Sequence, residues 1–311
     1  MSGKLRLFAG TSHPQLARAL ANELEIELSP LKIDRFACGE IYTQAETSLR
    51  GDDVFILQTS TANVNEELME LFLIIDSLER SFAGKIHVIM PSFAYARQDR
   101  VAQPREPISA KLVARLLETA GAQHLICVDL HSEQIQGFFD NPMDSLTARG
   151  LFTDYFKSKQ FDDLVVVSPD AGGAKTAKKF ADSLGAGLAI INKVRPGMNQ
   201  AEATHLVGDV KGKTCIVFDD MVDTGGSVCG AAKFLRQHGA DGDVYLVATH
   251  AIFSPPALER LSEADFKEIV VTDSLPLDHN SLPNLTILSL APMLAKVVRH
   301  VHEGLSVSDL M

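Results

Sequence analysis

The feature that most constrains the fold of this chain is its alternation of short aliphatic or β-branched runs with amphipathic stretches. Such an alternation is typical of βαβ units, which build a mainly parallel sheet flanked by helices. In the first half it predicts strands at Leu5–Ala9, Val54–Gln58, Ile86–Met90 and Leu125–Asp129, with helices near Pro14–Leu24, Asn65–Ser81 and Ser109–Ala120. In the second half it predicts strands at Val165–Ser168, Ala189–Asn192, Thr214–Phe218, Val244–Thr249 and Ile269–Thr272, with helices near Gly173–Leu184 and Ser227–His238. We therefore expect an α/β protein.

The length of 311 residues exceeds what one hydrophobic core usually supports, so two domains of about 150 residues each are expected. A strand followed by acidic residues and a turn occurs in both halves, which indicates two similar domains. Turn-forming dipeptides at Asn141-Pro142 and Arg149-Gly150 place the junction between a domain of residues 1–145 and one of residues 146–311. The amphipathic segment Met293–His302 predicts a last helix, which closes the second domain or returns to pack on the first.

Charge and cysteine content exclude several classes of protein. The formal net charge of -11 would repel polyanions, so we expect no nucleic-acid partner. No apolar run reaches the length of about 18 residues that a membrane span needs, and the N-terminus lacks a signal pattern, so we expect no membrane partner and a cytoplasmic protein. The four cysteines show no metal-ligand spacing, and we interpret Cys127, Cys215 and Cys229 as buried, reduced thiols.

The most informative motif is Val217–Ser227, where an apolar strand runs into acidic residues and then a glycine turn that opens a helix. Glycines let a backbone approach a phosphate closely, and the N–H groups and dipole of a helix start favour an anion. The carboxylates of Asp219 and Asp220 repel phosphate and suit hydroxyl groups or a metal instead. A sugar phosphate fits both halves of this pattern, although an ordinary polar loop between a strand and a helix remains the alternative.

The motif resembles the ribose-5-phosphate loop shared by phosphoribosyltransferases and ribose-phosphate pyrophosphokinases. Further segments resemble the class I pyrophosphokinases in the same order along nearly the whole chain: Tyr95–Arg100, Pro107–Lys111, Val128–Asp140 and Ser168–Gly173. The resemblance implies two phosphoribosyltransferase-like domains and a Mg²⁺-dependent transfer of the pyrophosphoryl group of ATP to ribose 5-phosphate, which serves nucleotide biosynthesis. It also implies that the chain forms a homo-oligomer, a hexamer.

The resemblance assigns site residues to each substrate. For ribose 5-phosphate they are Arg195, Asp219, Asp220, Asp223, Thr224, Gly225, Gly226 and Ser227. For ATP they are Phe36, Cys38, Gly39, Glu40, Arg97 and Gln98, the first four usually contributed by a neighbouring subunit. This sequence departs from the family at Cys38, where Asp or Asn is general and a thiol is a weaker hydrogen-bonding group.

The metal and the catalytic cations follow from the same resemblance. It assigns His131 and Asp170 to Mg²⁺ bound with ATP, and the preference of Mg²⁺ for oxygen makes Asp170 the stronger candidate for a direct ligand. It makes Lys193 and Arg195 catalytic, and phosphoryl chemistry needs positive charge on the oxygens that gain charge. Residues 198–204 have the polarity of a mobile lid over this site. The alternative interpretation is that Lys193 and Arg195 are solvated cations beside a proline turn and have no catalytic role.

Two other functions stay open. A regulatory relative without activity would assemble with an active subunit, and only Cys38 among the motif positions points towards it. A phosphoribosyltransferase would share the sugar-phosphate loop but has no reason to carry Arg97-Gln98 or the His131 segment. The sequence has neither a Walker GxxxxGK[ST] motif nor the protein-kinase signatures, so ATP is not expected to bind in either of those ways.

Overall fold

The structure is a computed structural model that describes residues 3–194 and 203–308, and its chain divides into two compact units. The first unit comprises residues 3–147, 273–276 and 289–308. The second comprises residues 148–194, 203–272 and 277–288. Both units are α/β, with a mainly parallel sheet and flanking helices, so the expected fold class is confirmed.

A parallel sheet forms the centre of the first unit. In chain order the elements up to the break are β1 (Leu5–Ala9), α1 (Pro14–Leu24), β2 (Leu31–Arg35), β3 (Ile41–Ala45), β4 (Asp53–Leu57), α2 (Val64–Arg80), β5 (Lys85–Ile89), α3 (Ser109–Ala120), β6 (His124–Val128), a 3-10 helix (Glu133–Phe138) and β7 (Met143–Leu146). The sheet has the order β1-β4-β5-β6-β7, and every pair in it is parallel. Strands β4 and β6 are buried along their whole length, as continuous apolar runs in parallel sheets are.

The second unit has a longer sheet with one antiparallel edge. In chain order its elements are α4 (Arg149–Lys157), β8 (Leu164–Ser168), α5 (Ala174–Leu184), β9 (Gly187–Val194), β10 (Ala203–Val207), β11 (Thr214–Val222), α6 (Gly226–Gln237), β12 (Val244–Ala251), α7 (Ala257–Glu263), β13 (Glu268–Thr272) and β14 (Leu285–Leu288). The sheet order is β10-β9-β8-β11-β12-β13-β14. Only β10 pairs antiparallel within the described part of this sheet, and β11 lies at its centre.

The last helix, α8 (Ala291–Glu303), belongs to the first unit and packs against α1. Its buried face includes Leu294, Val297 and Val298, and the side chain of Arg299 donates a hydrogen bond to the carbonyl of Glu23. This is one of the two placements that the amphipathic pattern left open. In the residues that the structure covers, no helix combines the length and the apolarity that crossing a membrane requires.

A row of largely buried polar side chains lies along the amino-terminal ends of the strands in the first unit. Asp53 accepts hydrogen bonds from His302 Nδ1 and His87 Nε2, both at 2.8 Å. The Nδ1 atoms of His87 and His124 lie 2.9 Å apart, and His124 Nε2 lies 3.0 Å from Asp144 Oδ2. Burial lowers the pKa of His87. Burial alone would raise the pKa of Asp53, but the hydrogen bonds from His87 and His302 outweigh it and lower that pKa.

Glu268 at the start of β13 joins three elements of the second unit. Its carboxylate accepts hydrogen bonds from Lys159 Nζ at 2.7 Å and Thr286 Oγ1 at 2.6 Å, and from the hydroxyl of Tyr155. Burial would raise the pKa of Glu268, but these hydrogen bonds outweigh it and lower that pKa. The ionised carboxylate therefore stabilises the packing of α4 beside β13 and β14.

We expect Glu268→Gln to lower the free energy of unfolding at neutral pH by roughly 1 to 2 kcal/mol, because a charged acceptor is lost. Since the folded-state pKa lies below the ordinary value of 4.5, this contribution is complete above pH 4.5 and is lost as the pH falls below it. Denaturant unfolding of the wild type and the variant at several pH values measures the difference, with the exposed Glu259→Gln as control. A difference that stays constant into the acid range would contradict this account.

Candidate active site

Strand β11 carries two adjacent carboxylates beyond its pairing with β8. β11 pairs with β8 as far as Val217, whereas its pairing with β12 continues to Val222. Beyond Val217, β12 is therefore the one described strand that still pairs with β11. Asp219 and Asp220 lie in this part of β11. The apolar pattern predicts that the strand ends at Phe218, but the strand is longer because its backbone pairing with β12 continues past the acidic pair.

The turn Asp223–Ser227 leads from β11 into α6. Gly225 precedes the helix with φ 75° and ψ -6°, a left-handed conformation that glycine adopts without strain. The first N–H groups of a helix have no intrahelical acceptor, and the helix dipole places partial positive charge there. The first turn of α6 holds no acidic residue. The turn therefore suits a phosphate group, as the sequence predicts.

The carboxylates beside this turn repel one another. Burial, together with the negative charges of Asp220 and Asp170, raises the pKa of Asp219 to about 8. Asp170 follows β8, which neighbours β11 in the sheet, so two strands bring three carboxylates to one edge. A cation or the hydroxyl groups of a sugar would relieve the repulsion, whereas a phosphate would add to it. The second unit thus places a site for hydroxyl groups or a cation next to a site for an anion.

Asp170 is an exposed carboxylate held by its own turn. Its Oδ1 accepts a hydrogen bond from the N–H of Gly173 at 3.0 Å, and Ser168 Oγ donates to its carbonyl at 2.7 Å. Within residues 3–194 and 203–308, no three His, Cys, Asp or Glu side chains converge to enclose a metal ion. Magnesium seldom uses such a cage and more often takes one or two carboxylates together with substrate phosphates and water. The oxygen ligand present at Asp170 fits that kind of binding.

In the first unit, Arg97 and Gln98 lie in the loop that follows β5. The N–H of Gln98 donates to the carbonyl of Tyr95 at 2.9 Å, and Ser109 Oγ donates to Gln98 Oε1 at 2.7 Å. Tyr95 itself adopts a positive φ of 59°, which is uncommon for a residue other than glycine. These contacts give the loop a defined shape, on which the Arg97 side chain is exposed.

His131 follows β6, the strand next to β5 in the same sheet. The N–H of Asp129 donates to the carbonyl of Leu146 at 2.9 Å, and Asp129 has a positive φ of 40°. The side chain of His131 is exposed. Because parallel strands end at one edge, the loops of Arg97 and His131 follow the carboxyl ends of adjacent strands, where open α/β sheets bind ligands.

The segment expected to contact adenine forms the turn between β2 and β3, a hairpin outside the main sheet. Cys38, Gly39 and Glu40 are exposed, and the side chain of Phe36 is 54% exposed. Arg35 Nη1 donates to the carbonyl of Gly39 at 3.2 Å. The turn is therefore an ordered structure that presents an aromatic ring to solvent on this chain.

The two expected catalytic cations fall at the limit of the described residues. The backbone of Lys193 lies in β9 and pairs with Thr204 in β10, but its side chain is outside the description. Arg195 and residues 198–202 of the expected lid also lie outside the described residues. Their roles stay predictions.

Arg260 contacts the candidate site although no sequence motif predicts it: its Nη1 donates to the carbonyl of Thr224 in the glycine turn at 2.9 Å. Arg260 lies in α7, a short helix whose residues carry no recognisable motif. The two residues are 36 positions apart, so only the fold brings them together.

The fold and the loop on β11 define an α/β protein of two units, one of which carries a turn suited to a phosphate group beside a pair of carboxylates. A family model described as the N-terminal domain of ribose phosphate pyrophosphokinase matches residues 5–121, and one described as the phosphoribosyl synthetase-associated domain matches residues 193–311. The chain belongs to the ribose-phosphate pyrophosphokinase family.

Individual relatives that match the chain over nearly its full length support this family assignment. The chain is 49% identical to a ribose-phosphate pyrophosphokinase of Bacillus caldolyticus, covering 99% of this chain and 98% of that protein. It is 47% identical to the enzyme of the same name from Corynebacterium efficiens, covering 98% and 95% of the two chains. The crystal structure of phosphoribosylpyrophosphate synthetase from Mycobacterium smegmatis is similar with a TM-score of 0.92 and 48% identity, covering 97% of this chain and 99% of that one. The family expected from the sequence is confirmed.

Proposed function

We propose that the protein is a ribose-phosphate diphosphokinase, which transfers the pyrophosphoryl group of ATP to the 1-hydroxyl of ribose 5-phosphate. The products are 5-phosphoribosyl 1-diphosphate and AMP. The observation that carries the proposal is the order of groups on β11, where two carboxylates precede a glycine turn at a helix N-terminus. Relatives with nearly half of their residues identical over the whole chain, and named for this activity, support the same reaction.

Ribose 5-phosphate is the substrate that fits this order of groups. Asp219 and Asp220 accept hydrogen bonds from the ribose hydroxyl groups, and the turn Asp223–Ser227 donates backbone N–H groups to the 5-phosphate. The raised pKa of Asp219 supports this assignment, because donors from a diol would reduce the repulsion among the carboxylates. The anomeric hydroxyl then attacks the β-phosphorus of ATP, and AMP is the leaving group.

ATP is assigned to exposed groups of the first unit. Arg97 supplies a guanidinium for phosphate oxygens, and Gln98 supplies an amide in a loop of defined shape. The hairpin with Phe36, Cys38, Gly39 and Glu40 is assigned to the adenine of ATP bound by a second copy of the chain, as part of a homo-oligomer. The exposed ring of Phe36 is suited to stacking on a base.

Magnesium and two cations complete the proposal. Asp170 and His131 would hold Mg²⁺ with ATP, where the ion neutralises charge on the phosphate oxygens. Lys193 and Arg195 stabilise the charge that develops during transfer, and Arg195 also contacts ribose 5-phosphate. Most of the rate acceleration then comes from positioning and electrostatic stabilisation, since this chemistry leaves a protein little covalent work.

The direct test is AMP formation from ATP by the purified protein with Mg²⁺, with and without ribose 5-phosphate. We expect AMP only with the sugar phosphate, and a product of the mass of 5-phosphoribosyl 1-diphosphate. Release of diphosphate that depends on a nucleobase and uses no ATP would favour a phosphoribosyltransferase. A folded protein that binds ribose 5-phosphate but makes no AMP would instead be a regulatory relative.

Asp170→Asn should raise the Mg²⁺ concentration for half-maximal activity by about tenfold or more, because a charged oxygen ligand is lost. Titration of activity with MgCl₂ at fixed ATP measures the shift. Asp182→Asn removes a carboxylate from the exposed side of α5 and is the matched control, since Asp182 pairs with Lys178 on the helix surface. An unchanged Mg²⁺ dependence in the Asp170 variant would remove Asp170 from the metal site.

A further inference from the structure

The helix α7 reaches the glycine turn through one side chain. Arg260 Nη1 donates to the carbonyl of Thr224 at 2.9 Å, and the position that a Cβ on Gly226 would occupy lies 3.4 Å from the same Nη1. The equivalent position on Gly225 lies 3.6 Å from Cα of Ala257 at the start of α7. The turn is thus packed against α7 on the side where Arg260 holds it.

This hydrogen bond determines which way a neighbouring N–H points. The carbonyl of Thr224 and the N–H of Gly225 belong to one peptide unit, and in a planar trans peptide they point in opposite directions. With the carbonyl held towards α7, the N–H of Gly225 is directed away from α7. A charged donor on the carbonyl also polarises the peptide, so that its N–H becomes a stronger donor.

The remaining cations near α7 have different surroundings. A cleft of about 370 Å³ between α6 and α7 is lined by Cys229, Lys233, Arg236, Arg260, Glu263 and Ala264. Arg236 Nη1 donates to the carbonyl of Ala240 at 2.9 Å, beyond the end of α6. Lys233 lines the cleft from α6 and carries the same charge as Arg260. Lys233 therefore provides a matched control for loss of charge beside α7.

We propose that Arg260 is a positioning residue that holds the glycine turn in its phosphate-binding conformation. It acts through the Thr224–Gly225 peptide, and it lies on the opposite side of that peptide from the N–H that would meet the phosphate. The inference rests on the proposed function in one respect, which is that the ligand of the turn is the 5-phosphate of ribose 5-phosphate. The turn itself is confirmed as a helix-opening glycine turn.

The test compares Arg260→Ala, Arg260→Lys and the control Lys233→Ala by calorimetric binding of ribose 5-phosphate and by steady-state kinetics. One hydrogen bond to a charged donor corresponds to about tenfold in affinity, so we expect Arg260→Ala to raise both the Kd and the KM for ribose 5-phosphate by about that factor. The KM for ATP should not change. Added methylguanidinium should partly restore the affinity, which a general loss of structure would not allow. Lys233→Ala should bind ribose 5-phosphate like the wild type.

The outcomes separate this inference from the proposed function. A wild type that makes 5-phosphoribosyl 1-diphosphate, with Arg260→Ala unchanged in Kd and KM, would overturn the role of Arg260 and leave the reaction standing. A wild type that binds ribose 5-phosphate without turnover would count against the reaction, while a weakened Kd in Arg260→Ala would still support the role of Arg260. If Arg260→Ala does not fold, Arg260→Lys keeps the charge and the stem but loses the planar fork, and we expect it to weaken binding too. Lack of ribose 5-phosphate binding by the wild type would overturn both.

Discussion

Gly225→Val is expected to reduce the affinity for ribose 5-phosphate by about a hundredfold or more, which corresponds to roughly 3 kcal/mol. Gly225 has a φ of 75°, and a β-branched residue is a genuine outlier in that region. Its Cβ would already be at contact distance, 3.6 Å from Cα of Ala257 and from Sγ of Cys229, so the added methyl groups have little room. The backbone of the turn must then move, and the N–H groups that bind the phosphate move with it.

Gly230→Val is the matched control for this prediction. Gly230 lies inside α6, and a Cβ on it meets open space within 4 Å. The same substitution on the same helix therefore leaves the turn intact, and we expect ribose 5-phosphate binding close to that of the wild type. Calorimetry on both variants makes the comparison. If Gly225→Val bound the sugar phosphate as tightly as Gly230→Val does, the phosphate would not bind at this turn.

Lys193→Ala is expected to lower kcat by about a hundredfold to a thousandfold, the effect of removing one group that stabilises developing charge. The backbone of Lys193 forms one of the last residue pairs between β9 and β10, and residues 195–202 follow shortly after it in the sequence. A cation assigned to the transition state contributes little to the binding of ribose 5-phosphate, so the Kd for that substrate should change little. Single-turnover formation of AMP separates the chemical step from product release.

Lys178→Ala removes an equal charge from the exposed surface of α5 and should leave kcat unchanged, since Lys178 pairs with Asp182 there. Turnover by Lys193→Ala at the rate of this control would remove Lys193 from the mechanism. A rise in the KM for ribose 5-phosphate with kcat preserved would assign Lys193 to substrate binding instead.

The parts of the fold that the sequence predicted are those with long apolar runs or clear helical periodicity. Strands β4 and β6 are buried throughout, and after their first residues, Asp53 and His124, every side chain on both faces is apolar, so the pattern is plain. The hairpin of β2 and β3 was missed because its residues are half-exposed or exposed, and Lys32 and Asp34 interrupt the apolar pattern. Helix α7 was missed because seven residues are too few to show a period.

The candidate site likewise has parts that the sequence predicts and parts that depend on the fold. The carboxylates and the glycine turn on β11 are contiguous in sequence, and a single segment therefore predicts how they lie in space. The proximity of Asp170 to Asp219 depends on the pairing of β8 with β11, which a strand pattern alone does not specify. Arg260 depends on a contact between two helices, and its own segment carries no signal.

The polar side chains at the amino-terminal edge of the first sheet connect four neighbouring strands in addition to their backbone pairing. Three contacts lie in series, from Asp53 in β4 to His87 in β5, from His87 to His124 in β6 and from His124 to Asp144 in β7. Both ring nitrogens of His87 and both ring nitrogens of His124 take part in these contacts. Loss of either imidazole would therefore remove two of the three contacts at once and leave a buried polar atom on each side of the gap.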